Sequence, residues 1–88
     1  MKNRDIADIF EKIADILEFK GEIPFKVNAY RKASRVIKDL QQDIEEVWQQ
    51  GKLRELPGIG EALVKKINEY IQTGKISKYY HRKFGDNS

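Results

Sequence analysis

The apolar positions of this chain recur at helical intervals. Ile6, Ile9, Phe10, Ile13, Ile16 and Leu17 fall at i, i+3, i+4, i+7, i+10 and i+11, which is one face of an amphipathic α-helix. The pattern predicts a helix over residues 3–19, with Asn3 as its N-cap, Asp5 favourable in the first turn and Gly21 as a left-handed cap beyond its end. Pro24 suits the first turn of a second helix, along which Val27, Tyr30, Ser34 and Ile37 repeat to about Asp39. Asp43 is placed to cap a short third helix bearing Ile44, Val47 and Trp48 and stopped by Gly51, and Lys52 to Glu55 reads as one further turn. Leu63, Val64, Ile67, Tyr70 and Ile71 form a fourth stripe that ends at Gly74. Ile76, Tyr79, Tyr80 and Phe84 suit a last turn or short helix from Ser77, and Gly85 to Ser88 a frayed tail. No segment sustains the period of two that marks a strand. The expected fold is all-α, a compact bundle of four main helices forming one domain over residues 1–88.

Composition narrows the class. An 88-residue chain with 40% hydrophobic residues can build one core, not two. It has no cysteine, so neither a disulfide nor a thiolate-held metal staples it. No apolar run approaches the ~20 residues of a membrane span, and charges interrupt the first twenty residues where a signal peptide would be apolar. The expectation is a soluble intracellular protein, cytoplasmic (with the nucleoid) or nuclear. No His or acidic pair has metal-ligand spacing, and His81 reads as a solvated side chain.

The net charge of +3 is modest, but its distribution is uneven. Residues 1–24 carry four basic and six acidic side chains; residues 25–88 carry thirteen and eight. Lys26 to Lys38 contributes five bases and no acid, and Lys52 to Lys83 eight bases against three acids. Clustered positive charge suits a polyanion such as nucleic acid.

The most informative stretch is LPGIGEALVKKI, from Leu56 to Ile67. Pro57 stops the preceding turn. Gly58 and Gly60 are each free to take positive φ, and their lack of a Cβ permits close approach of a ligand. Ile59 between them can pin the loop to the core. The amides that open the next helix lack intrahelical partners and carry the positive end of its dipole, so a phosphate fits there without any side chain. Leu53, Leu56, Gly58, Ile59, Gly60, Val64 and Ile67 match the spacing of the helix-hairpin-helix motif, which this stretch closely resembles. Val64 stands where alanine is commoner, and Asn68 where a second apolar residue is usual. The resemblance implies sequence-independent binding to the DNA backbone. It also implies a monovalent cation, Na or K, held by the carbonyls of Arg54, Leu56 and Ile59.

Lys65 and Lys66 follow on the same helix, pointing about 100° apart. As solvated residues they have Glu61 and Glu69 within ion-pair spacing. Beside a bound phosphate, an amine two turns along can instead attack a sugar aldehyde, provided part of it is unprotonated. FKVNAYRKASRVI, from Phe25 to Ile37, decides which lysine matters. Together with IADIFEKIADILEFKGEIPF before it and LPGIG…VKKINEYIQTGKI after it, this sequence resembles the amino-terminal lyase domain of X-family DNA polymerases, the DNA polymerase beta type. The likeness covers about Asn3 to Lys78. It implies binding at the 5′-phosphate side of gapped or nicked DNA and removal of a 5′-deoxyribose phosphate through a Schiff base and β-elimination. By the same resemblance Lys66 is the nucleophile. Lys26, Tyr30 and Arg54 bind the 5′-phosphate, and Gly58, Ile59, Gly60, Lys65 and Lys78 meet the DNA backbone.

Two positions depart from the mammalian pattern: Phe25 stands for a histidine and Ala62 for a pocket lysine. Phe25 can stack on a base, but the cation lost at Ala62 weakens phosphate binding and removes a charge that would depress the amine pKa. Three readings follow. The leading one is a lyase domain; the others are a non-catalytic DNA-binding domain that positions a larger enzyme, and a protein-interaction module using the hairpin. The chain has no room for a nucleotidyl-transfer domain, so any polymerase domain belongs to a longer parent chain.

Overall fold

The computed structural model describes residues 1–76. Among these the chain forms helices α1 (Asn3–Phe19), α2 (Pro24–Lys38), α3 (Ile44–Gln49) and α4 (Glu61–Thr73), with a single 3₁₀ turn at Leu53–Glu55 before α4. The described residues contain no strand, so the all-α expectation holds. No described helix is long and apolar enough to cross a membrane. The last turn expected from Ser77, the tail, His81 and Lys78 lie outside the described residues.

α1 and α2 make the most extensive helix pairing. Tyr30 stacks edge-on against Phe10 at 5.5 Å between ring centroids, and Ser34 Oγ donates to the Ala7 carbonyl at 2.8 Å. The partner number falls as the α2 number rises, so the pair is antiparallel. Such an aromatic contact contributes about 0.5–1.5 kcal/mol beyond burial. Ile6, Phe10, Ile37, Ile44, Ile67 and Ile76 are fully buried, and one cluster joins all four helices. Ile59 enters that cluster from the loop before α4, as its place between two glycines predicts.

Local signals read correctly at most boundaries. Gly21, with φ +80°, turns the chain beyond α1, Pro24 opens α2, and Asp43 Oδ1 accepts from the Glu45 amide at 3.1 Å. Asn3 does not cap α1. It is buried in the first turn, where its Nδ2 donates to the Gln42 carbonyl at 2.8 Å and its Oδ1 accepts from the Ile44 amide at 2.9 Å. The amide side chain satisfies one donor and one acceptor of the α2–α3 connection, tying the start of α1 to the start of α3.

Candidate nucleic-acid interface

The hairpin begins with a tight turn. Pro57 and Gly58 are its central residues, Gly58 has φ +82°, and the Ile59 amide donates to the Leu56 carbonyl at 3.1 Å. Proline then glycine with positive φ is the signature of a type II turn. That φ favours glycine, and a Cβ there would lie 3.3 Å from Lys32 Cδ, displacing the lysine stem by a few tenths of an ångström. Gly60 corrects the sequence expectation. Its φ is −91° and ψ −174°, an extended conformation open to any residue, and no described residue lies within 4 Å of a Cβ built on it.

Gly60 occupies the N-cap of α4 and supplies no side-chain cap. Among the described residues the amides of Glu61, Ala62 and Leu63 have no hydrogen-bond partner. Asn, Asp or Ser at this position would satisfy one of them and stabilise the helix better than glycine does. The residue at position 60 therefore leaves an anion-attracting helix end open.

The carbonyls expected to hold a cation keep open acceptor capacity. Among the described residues Arg54's carbonyl accepts no hydrogen bond, because the residue three further on is Pro57, which has no N–H. Ile59's carbonyl is likewise without a donor among them, and Leu56's keeps a second lone pair beyond the turn bond. An all-oxygen set of this kind suits a hard cation.

The side chains divide between the flanks of α4. Arg54 forks onto Glu61, with Nε to Oε1 at 2.7 Å and Nη2 to Oε2 at 2.6 Å. This pair holds the Glu61 carboxyl below its usual range, with the Lys65 charge adding to the effect, and raises the Arg54 guanidinium. Arg54, Glu61 and exposed Lys65 border a cleft of about 330 Å³ whose floor includes Trp48, Leu53 and Val64. The indole Nε1 of Trp48 donates to Asn68 Oδ1 at 2.7 Å, which explains a polar residue where the motif favours an apolar one. Lys66 lies about 140° round the helix from Glu61. It is half-buried and partnered. Arg54 and Lys65 thus share one flank while Lys66 takes the other, beside exposed Ala62.

On α2, Lys26 sits in the first turn, 3.8 Å from Glu22 across a solvent-exposed pair of the sort that contributes little. One turn on, the Tyr30 ring is buried in the core, and burial raises its phenol pKa. Its hydroxyl has no hydrogen-bond partner among the described residues, yet no buried side-chain polar atom lacks one, so the hydroxyl meets solvent. The ring is structural while its tip, one turn from Lys26, is open. Phe25 is 82% exposed, with Phe19 and Ile23 also exposed near the α1–α2 turn.

The basic block of α2 is less basic than its sequence suggests. Arg31 donates to Glu11 at 3.0 Å, Asp15 at 3.1 Å and Glu18 at 2.7 Å. These three acids line one side of α1 at i, i+4 and i+7, a spacing visible in the sequence, and they neutralise Arg31. Sequence reasoning also missed the Arg54–Glu61 fork, whose members are seven residues apart across a break in helix.

Comparison with known proteins fixes the family. The model of the helix-hairpin-helix domain matches residues 1–76. This chain belongs to the helix-hairpin-helix domain family. The domain is 40% identical over 77 residues to the DNA polymerase/3′-5′ exonuclease PolX of Bacillus subtilis (strain 168), covering 88% of the chain and 13% of that protein. It is 42% identical over 79 residues to DNA polymerase lambda of Arabidopsis thaliana, covering 90% of the chain and 14% of that protein. Both are X-family polymerases, so the resemblance read from NAYRKAS and LPGIG holds. The chain spans about one-seventh of the length of these curated relatives.

Proposed function

We propose that this helix-hairpin-helix domain binds gapped or nicked DNA at the 5′-phosphate side, without sequence preference, and acts as the 5′-deoxyribose phosphate lyase domain of a repair polymerase. The polymerase domain then lies elsewhere in a longer parent chain, and the domain works with the genome, in a nucleoid or nucleus. The observation that carries the reading is the uncapped start of α4 behind Gly60, where open amides meet a residue whose bareness the fold does not require.

In this reading the amides after Gly60 receive a backbone phosphate; the carbonyls of Arg54, Leu56 and Ile59 would hold a monovalent cation, whose charge would offset that of the phosphate. Lys26 and the open Tyr30 hydroxyl receive the 5′-phosphate. Arg54 exchanges its Glu61 partner for that same 5′-phosphate, and Lys65 and Lys78 add backbone contacts. The neutral amine of Lys66 attacks the C1′ aldehyde of the opened sugar, and water leaves as the Schiff base forms. Loss of a C2′ proton then expels the 3′-phosphate oxygen with its bonding pair. Hydrolysis of the remaining imine frees Lys66.

Borohydride reduction of the domain mixed with gapped DNA bearing a 5′-deoxyribose phosphate tests this directly. A covalent adduct is expected with the wild type and is lost in Lys66→Ala. An adduct undiminished in that variant contradicts the role of Lys66. Tight, salt-sensitive binding to gapped DNA without any adduct leaves a DNA-binding domain and removes the lyase.

A further inference from the structure

Lys32 and Arg31 are neighbours on α2 with opposite circumstances. Arg31 turns toward α1 and is held by three carboxylates. Lys32, about 100° round the helix, is exposed and makes no ion pair or hydrogen bond among the described residues. Its aliphatic stem crosses the hairpin: Cδ, Cε and Cγ lie 3.3, 3.4 and 3.5 Å from where a Cβ on Gly58 would stand. A lysine that lays its methylenes on a backbone while its head stays in water has lost part of its rotamer freedom already. Its ammonium is therefore held over the turn that leads into the open amides of α4. Gly60 is only two residues beyond Gly58, within about 7 Å along the chain.

We propose that Lys32 is a DNA-phosphate ligand of this domain, its ammonium taking the phosphate next to the one received by the amides after Gly60. This inference rests on the reading that the hairpin binds DNA, and it assigns a contact from α2 to the same strand. Gly58 then serves two purposes, the turn itself and the seat for the lysine stem. A second cation beside the amides also offsets part of the charge missing at Ala62.

The test is fluorescence anisotropy of the whole chain on 5′-phosphorylated gapped DNA between 50 and 200 mM salt. Lys32→Gln keeps the first half of the stem and removes the charge. The expected result is a salt slope shallower by about 0.9 and binding weaker by about eightfold at 0.1 M salt, with an unchanged urea midpoint. Lys32→Arg is expected to retain both slope and affinity. Lys12→Gln, which removes a charge from α1, leaves the slope at its wild-type value. A wild-type slope in Lys32→Gln, or an equal loss in Lys12→Gln, overturns the inference while the hairpin reading stands. A wild type that fails to bind DNA at 50 mM salt overturns the hairpin reading and this inference together.

Discussion

The α1–α2 pair and the hairpin leading into α4 treat their polar groups in opposite ways. In the helical pair, polar side chains are spent on the fold: Ser34 bonds the Ala7 carbonyl, and Arg31 bridges Glu11, Asp15 and Glu18. In the hairpin, three amides at the start of α4 and the carbonyls of Arg54 and Ile59 have no partner among the described residues. Both regions share one apolar core, so the hairpin's openness is not a sign of loose packing. The first amides of any helix lack intrahelical partners and turn to water where exposed, and the amides of Asn3, Arg4 and Asp5 at the start of α1 are also without a partner among the described residues. What sets α4 apart is that its open amides follow directly on a tight turn whose neighbouring carbonyls, those of Arg54 and Ile59, are open as well. Charge density alone would have pointed elsewhere, since the bases of α2 include one that α1 neutralises.

The comparison is broken most forcefully from the core. Phe10→Ala removes the ring beneath Tyr30 and is expected to cost about 3–5 kcal/mol, read as a lower urea midpoint. Because the core is shared, DNA binding falls with it. A variant that unfolds α1 and α2 while the hairpin still binds DNA at full affinity would divide the molecule into two independent units.

Next in size is the turn. Gly58→Ala forces a Cβ at φ +82° against the Lys32 stem and is expected to destabilise by about 1–3 kcal/mol, measured by urea or thermal unfolding. A neutral result would mean that the turn relaxes without cost and that the lysine seat is not specific.

A smaller and opposite change is expected in binding. Glu61→Gln releases Arg54 and removes a negative charge at the hairpin. Affinity for gapped DNA should rise by up to about eightfold at 0.1 M salt with one more phosphate contact. Unchanged affinity would assign Arg54 to the fold alone.

The smallest effect is in titration. Hydrogen bonds from Arg54 hold the Glu61 carboxyl below the ordinary glutamate range. A group whose folded pKa is depressed stabilises the fold above its unfolded pKa, and that contribution is lost as pH falls through the folded value. Carbon NMR across acid pH should show Glu61 titrating below the ordinary glutamate range, and Arg54→Gln should bring it back into that range. A Glu61 that titrates in the ordinary glutamate range in the wild type would mean the fork does not persist in solution.

The elements themselves were legible because periodicity and caps are local. The stripe from Ile6 to Leu17, the Gly21 and Gly74 stops, Pro24 and the Asp43 cap each act within one turn of helix. Asn3 was misread for the same reason: an asparagine at a helix start looks like a cap, while its actual partners are about forty residues away at Gln42 and Ile44. The hairpin was legible as a motif, but the conformation of Gly60 was not, since glycine permits both signs of φ. Partner choice was least legible. Whether Arg31 faces acids and Lys32 faces the hairpin depends on how α2 is rotated against α1, which no local pattern encodes. Arg54's fork onto Glu61 likewise depends on how the tight turn folds the chain back.

Gly60 offers the most direct test of whether the hairpin is open for a phosphate. Gly60→Ser supplies a good N-cap in a conformation serine adopts freely, so stability should hold or rise by a few tenths of a kcal/mol, about the margin of serine over glycine at such a site. The same hydroxyl occupies an amide meant for the ligand. Losing one bond to a charged group costs about 1.5–3 kcal/mol, so affinity for gapped DNA should fall by about tenfold or more. Stability kept while binding is lost is the result this account predicts. Wild-type affinity in Gly60→Ser would contradict it.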